Sequence, residues 1–471
     1  MAKSITNKKI AQNTLISVGA QAMSLSISLL INLCVPKFID EYQYAYWQTY
    51  LLYVGYVGLL HLGLLDGIVL RYAKYDYEEL DKKKMNFFFY TLVFFLMIFS
   101  LCGVGLGIIF GEGIGTLQVC LLSISIITKN LLTFSSYSFQ ITNRIKQYAR
   151  AIILQRFFYG IFIVGLLALG VNSFYYFCIA DILTDVVGFI YSIHYNKEIY
   201  RPQKNSFEDK MRELRDTLHA GITLLIANFS SNFIVGSSKI AIQTFWPPLV
   251  FGKVAFGFSI TNIFLNFVTA ISVVLFPSLK RIDEQELPKV YTTIRSIMMP
   301  LLLLLMLCYF PGGVLLKTWL PKYKDSLTFA GILLPSIIYT TNVNLLTNNY
   351  LKVYRKEKEM FKLNVGCILI ELCGLCVISY FIKNVTLVLL WTVLIILLRS
   401  LRAEQIVSGL IGFPFLKEQK REIALSILFV VCVISMNWWQ GFLLYAAGVL
   451  VYFNSCIKNK WRGSLIKLLG K

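Results

Sequence analysis

Long apolar stretches recur along the chain with short polar breaks between them. A helix needs ~20 mostly apolar residues to cross the hydrocarbon of a bilayer. Fourteen segments meet that requirement: 11–35, 46–70, 86–110, 117–141, 151–170, 173–195, 219–243, 249–278, 296–316, 326–350, 362–382, 384–401, 422–437 and 440–457. The pattern predicts an all-α polytopic membrane protein with about fourteen transmembrane helices. One long polar segment, 196–218, interrupts the series after the sixth span. Its second half has the makings of an amphipathic surface helix; a plain solvated linker reads equally well.

The first twelve spans repeat. Spans 1 and 7 begin near 11 and 219, spans 2 and 8 end at Arg71 and Lys280, and spans 4 and 10 begin near 117 and 325. Six spans per half is an even number, so both halves keep one orientation and form a parallel repeat. The expected organisation is an N-terminal lobe at 1–195, a cytoplasmic linker at 196–218, a C-terminal lobe at 219–412, and an appended hairpin with a basic tail at 413–471. Two such lobes around a central cavity are free to rock against each other.

Composition sharpens this reading. The 471 residues are 57% apolar and 15% charged, with a mean hydropathy of +0.66, whereas soluble domains carry about 25% charged residues. That excludes a cytosolic enzyme, a secreted domain and a disordered chain. The net charge of +20 comes from 45 Lys and Arg. Of these, 37 fall in the termini, the even-to-odd connections and the span ends that adjoin them (Arg156, Lys362 and Arg399), and six in or beside the other connections: Lys37, Lys253, Lys317, Lys322, Lys324 and Lys383. The positive-inside rule then places both termini in the cytoplasm. Topology and anionic headgroups account for the charge without nucleic acid. Trp47, Trp246, Trp319, Trp438 and Trp439 fall at predicted outer boundaries, as an interfacial belt requires. The first apolar stretch is too long for a cleavable signal and is expected to stay as a helix. The ten cysteines lie in or at the ends of spans, and the Cys373-Cys376 pair reads as packing rather than a metal site. No cofactor is expected, and the chain has no GxxxxGK[ST] loop.

Ionisable groups inside spans are the candidate functional residues, because a charge at the bilayer centre costs ~2.5–3.5 kcal/mol on insertion scales. Lys129 lies mid-span, ~18 Å from either end, beyond the reach of a snorkelling stem. It is expected to meet an anion in a cavity, or else to join a structural ion pair. Lys239 follows a polar run that includes Asn228, Asn232, Ser237 and Ser238, and is expected to line the cavity or else to snorkel towards the outer face. Arg156 and Lys253 are further cationic candidates, each near enough to a membrane face to snorkel. Asp181 and Asp185 share a helix face at i, i+4. They either hold a proton between them, bind a cation, or meet Lys129. Asp66 and Arg71, whose spacing puts them on different faces, and Glu371 complete a set of gate or coupling candidates. Asn13, Gln21, Asn262, Asn266, Asn342 and Asn344 suit the lining of a polar cavity; interhelical hydrogen bonding is the other reading of each.

The segments NKKIAQNTL (7–15), HLGLLDGIVLRYAKY (61–75) and FGKVAFGFSITNIFLNFVTAISVVLFPSLKRI (251–282) resemble Wzx-type flippases. These belong to the multidrug/oligosaccharidyl-lipid/polysaccharide (MOP) exporter superfamily, and the resemblance extends over the six-plus-six-plus-two layout. It implies a rocking two-lobed transporter, not an enzyme, in the cytoplasmic membrane. The implied cargo is an undecaprenyl-pyrophosphate-linked oligosaccharide repeat unit bound for capsule, O-antigen or exopolysaccharide. Membrane lipids, a polysaccharide polymerase and a chain-length regulator are the implied partners. The chain departs from some superfamily members in having no Lys or Arg in the body of span 1. Three alternatives remain: an organic-cation exporter of the same superfamily, a peptidoglycan-precursor lipid flippase, and a membrane polysaccharide polymerase. The short outer connections argue against the last.

Overall fold

A computed structural model describes residues 7–73, 75–201, 208–279, 285–412 and 416–456, with no strand among them. Each of the fourteen apolar stretches falls on helix, most on a single helix and spans 2, 9 and 10 on two or more in succession. Spans 1 to 6 are α1 (Asn7–Phe38), α2 (Glu41–Val54) with α3 (Leu64–Tyr72), α4 (Lys82–Phe110), α5 (Ile114–Ile141), α6 (Ile145–Ala168) and α7 (Phe174–Tyr195). After the short α8 (Lys197–Tyr200) come α9 (Glu208–Phe245) and α10 (Pro248–Leu279) as spans 7 and 8. Span 9 is α11 (Leu287–Met306) with α12 (Tyr309–Trp319); span 10 is α13 (Lys324–Leu333), α14 (Pro335–Thr341), a π turn at Asn342–Thr347 and α15 (Asn348–Val353). Spans 11 to 14 are α16 (Glu357–Val377), α17 (Val385–Ile411), α18 (Leu416–Ser435) and α19 (Trp438–Cys456). By length and apolar content, eight segments qualify as membrane spans among the described residues, and up to ten when each bent pair counts as one.

The bends have local causes. Span 2 turns by 57° between α2 and α3, where Leu62 and Gly63 take φ of 53° and 87°. Span 10 turns by 41° at Pro335, whose ring removes a backbone donor and crowds the preceding turn.

The chain forms two compact units, Met1–Ser231 and Asn232–Lys471, and the boundary falls inside α9. The halves repeat in their packing. Spans 2 and 4, 3 and 4, 4 and 6, and 5 and 6 touch in the first unit; spans 8 and 10, 9 and 10, 10 and 12, and 11 and 12 touch in the second. They also repeat in their turns. α5 and α15 both end on a residue with positive φ, Asn143 at 53° and Arg355 at 54°, 212 positions apart. In each case the next amide reaches back five residues, Arg144 N to Phe139 O at 2.9 Å and Lys356 N to Leu351 O at 2.7 Å. This is the 6→1 bond of a Schellman cap.

The first turns of α9 belong to the first unit and lie against α3. A Cβ built on Gly221 would stand 1.9 Å from the Gly63 carbonyl oxygen, and one on Gly67 would stand 2.0 Å from the Thr217 oxygen. Only glycine permits so close a backbone approach. Arg71 flanks this contact with an ion pair to Glu213 at 2.8 Å and a bond to the Thr217 hydroxyl at 3.3 Å. Asn86 on α4 secures the start of the polar segment by donating to the carbonyls of Ile199 and Arg201 at 2.6 and 2.8 Å.

One element of the aromatic belt is corrected. Trp47 is 1% exposed and packs against Tyr44 and Phe177 inside the first unit, because α2 turns it away from lipid. Trp319, Trp438 and Trp439 are about half exposed, as interfacial residues are.

Candidate functional site

In the first unit the mid-span charges meet. Lys129 on α5 points its ammonium between the two carboxylates of α7, 2.8 Å from Asp181 Oδ1 and 2.9 Å from Asp185 Oδ2. The i, i+4 spacing of the aspartates puts both on the face that α7 turns toward α5. Asp181 also accepts from Tyr50 Oη at 3.2 Å, and Asp185 from Gln155 Nε2 at 3.1 Å. Asp185 is fully buried, whereas the Lys129 side chain keeps 23% of its surface exposed. With both aspartates ionised, the formal charges of the three side chains sum to −1. Lys129, expected to face an anionic head, is thus engaged by two carboxylates, and the two aspartates have a resident cation.

Three hydroxyls that follow Lys129 bond back to their own helix, while Asn130 reaches the Val57 carbonyl at 3.0 Å. Thr133, Ser135 and Ser138 donate to the carbonyls of Lys129, Leu131 and Phe134 at 2.8, 3.0 and 2.9 Å. Ser237 and Ser238 on α9 likewise bond to Ile234 and Val235. Hydroxyls that back-bond in this way sit in apolar surroundings at little cost, so their presence does not by itself mark a wet cavity.

Lys239 in the second unit differs from Lys129. It is half-buried on α9, and among the described residues no carboxylate lies within ion-pair distance. Its ammonium stands 4.6 Å from the centroid of the Phe258 ring, a cation–π contact worth ~0.5–2 kcal/mol. Asn232 and Asn262 are exposed on α9 and α10. The side chains of Asn13, Asn228 and Asn266 lie outside the described residues. Gln21 and Arg156 are half-buried.

Other candidates are engaged elsewhere. Lys253 pairs with Asp325 at 2.7 Å. Asp66 faces His61 at 3.7 Å, while Arg71 holds Glu213. Glu371 is buried on α16, where its Oε1 accepts from Thr392 at 2.9 Å and its Oε2 has no hydrogen-bond partner among the described residues.

A second buried cluster escaped the sequence reading. Arg295 on α11, assigned by sequence to the cytoplasmic connection between spans 8 and 9, is 2% exposed. It pairs with Glu404 on α17 and, at 2.9 Å, with Glu422 on α18. Glu404 accepts further bonds from Tyr291 at 3.1 Å, Asn342 at 3.1 Å and Gln419 at 2.6 Å, and Glu422 from Tyr452 on α19 at 3.2 Å. Asn342, expected to line a cavity, is therefore 1% exposed inside this network, and Asn344 beside it is half-buried. The network ties the last two helices to the second unit. Arg295 was hidden among basic neighbours, Glu404 lies in a stretch that reads as a polar connection, and Glu422 is the first residue of predicted span 13.

No family model matches the chain, and no curated protein matches it. Solved structures do. A multidrug resistance MATE family transporter of the MOP superfamily, in an inward-facing conformation, aligns with a TM-score of 0.64 at 11% identity, over 85% of this chain and 98% of its own. The lipid II flippase MurJ, in an inward closed conformation, aligns with a TM-score of 0.67 at 12% identity, over 95% and 100%. An outward-facing MATE structure gives 0.51 at 11%, over 85% and 95%. At such identities the likeness concerns the fold: this chain is a multi-pass, all-helical membrane protein with the architecture of the MOP transporters.

Proposed function

We propose, on the premise of that shared architecture, that the protein is a flippase. It moves an undecaprenyl-pyrophosphate-linked oligosaccharide repeat unit from the inner to the outer leaflet of the cytoplasmic membrane. The observation that carries the reading is Lys239, a half-buried cation about one turn inside the outer end of span 7, whose neighbour is an aromatic face rather than a carboxylate. Such a charge is costly in hydrocarbon and is retained where a polar passage and a passing anion compensate it. The exposed Asn232 and Asn262 suit sugar hydroxyls. A saccharide–pyrophosphate head cannot cross hydrocarbon unaided, whereas its prenyl tail can remain in lipid. With the cytoplasm negative, a dianionic head gains roughly 4–5 kcal/mol per 100 mV on the way out, so alternating access of two lobes needs no nucleotide.

The alignment over nearly the whole chain with a lipid II flippase favours a second reading, a peptidoglycan precursor, which shares the pyrophosphate and the sugar. The test uses the full-length protein in its own host and in vesicles. Lys239→Ala is expected to abolish surface polysaccharide and to slow exposure of a lipid-linked oligosaccharide to external glycosidase at least tenfold, with Lys239→Arg retaining most of both. Unchanged flipping in Lys239→Ala overturns the reading. Rescue of cells lacking a lipid II flippase, with surface polysaccharide unaffected by gene deletion, assigns the protein to the second cargo.

A further inference from the structure

We propose that the second unit carries a binding site for an anionic phospholipid, with the headgroup between Lys317 and Lys324 and one acyl chain in an apolar groove along α11 and α12. This goes beyond the transport reading and does not rest on the cargo.

The mouth of the site is a cleft lined by Lys317 and Lys324, with Tyr309, Thr328, Met436 and Trp438 around them. Tyr309, Gly313 and Leu327 also belong to a second groove, whose other walls include Ile260, Leu305, Cys308 and Leu334. Through Leu305 and Leu334 that groove continues to a narrow end at Leu302 and Ile338. A polar, cationic entrance therefore leads into an apolar throat. From Lys317 to Leu302 the helical rise amounts to ~20 Å, more than the ~15 Å of hydrocarbon in one leaflet. A Cβ built on Gly312 or Gly313 meets nothing within 4 Å, so the floor of the groove is open where the two glycines lie.

The charge distribution selects the headgroup. Outer connections are depleted of lysine by the positive-inside rule, yet Lys253, Lys317, Lys322 and Lys324, four of the six lysines assigned to them, belong to this part of the second unit. The neighbouring carboxylate, Asp325, is taken by Lys253 at 2.7 Å. Lys317, Lys322 and Lys324 are exposed, and no carboxylate lies within ion-pair distance of them among the described residues. Exposed Trp438 at the rim is an interfacial side chain. An anion on a chain fits this arrangement; a free phosphate would leave the groove unfilled.

Native mass spectrometry of the full-length protein, titrated with phosphatidylglycerol or with phosphatidylcholine of the same chains, tests the site. Wild type is expected to retain phosphatidylglycerol preferentially. Lys317→Ala with Lys324→Ala should lower that preference about 30-fold, as two surface lysines would, and leave phosphatidylcholine retention unchanged. Gly313→Leu, or Gly312→Leu should the first not yield monodisperse protein, fills the groove and should lower retention of both lipids. Equal retention of the two lipids by wild type, or an undiminished preference in the double lysine variant, overturns the proposal. So does displacement by glycerol phosphate, which would make the site one for a free anion, or by an equimolar lipid-linked saccharide, which would give the groove to the cargo.

Discussion

Lys129 and Asp185 are locked to each other in the interior of the first unit, with the ammonium 2.9 Å from a carboxylate that has no exposure of its own. Removing one partner of such a cluster leaves buried charge without compensation, which costs ~3–5 kcal/mol. Lys129→Met is therefore expected to lower the thermal midpoint of the detergent-solubilised protein sharply. The triple variant Lys129→Met, Asp181→Asn, Asp185→Asn removes all three charges and should recover most of the loss. A single Lys129→Met variant as stable as wild type would show that the cluster is open to water and ions.

Arg295 makes the same argument in the second unit with a different geometry. Its guanidinium serves two carboxylates at once, Glu404 and Glu422, a forked arrangement that lysine cannot copy. Arg295→Met should destabilise by ~3–5 kcal/mol, and Arg295→Lys should recover only part of it, read as melting of the purified protein. Hydrogen exchange should rise first in α18 and α19, because the network is their polar attachment to α11 and α17.

The glycine contact between α3 and α9 gives a steric prediction. Gly221→Val places carbon where the Gly63 carbonyl already lies, and overpacking of this kind costs at least ~1–3 kcal/mol. Gly165 is the control: a Cβ there meets nothing within 4 Å. Gly165→Ala should be neutral or should stabilise by ~0.5–1 kcal/mol through helix propensity. The thermal midpoint should fall in Gly221→Val and hold or rise in Gly165→Ala.

Asn86 is expected to govern the segment after span 6. Asn86→Ala leaves the Ile199 and Arg201 carbonyls without their donor, at ~1–3 kcal/mol for the buried Ile199 group and less for the exposed Arg201. Amide exchange of residues 197–201 should accelerate while that of α5 stays constant.

These relationships mark where the sequence was legible. Hydrophobic length alone located all fourteen helical segments, because a span needs a fixed number of apolar residues whatever its neighbours are. The repeat was visible as spacing, and the structure adds matched Schellman turns that no residue type announces, since one has Asn143 and the other Arg355 at positive φ. The aspartate pair was legible from its i, i+4 spacing, but choosing Lys129 over a proton or a metal ion required a distance. The serines before Lys239 carry no cavity signal of their own, because local back-bonding satisfies them. Arg295 was missed because a basic residue near a membrane face looks solvated until its carboxylate partners, 109 and 127 positions away, are placed beside it.

The seating of α9 on α3 decides where this polypeptide tolerates scission. Severing the backbone at 202–207, between the sixth and seventh spans, would put Glu213, Thr217 and Gly221 on a different fragment from Arg71, Gly63 and Gly67, so the amino-terminal piece would lack a wall of its own interior. Coexpressed fragments divided after α10 instead would keep those partners on one molecule.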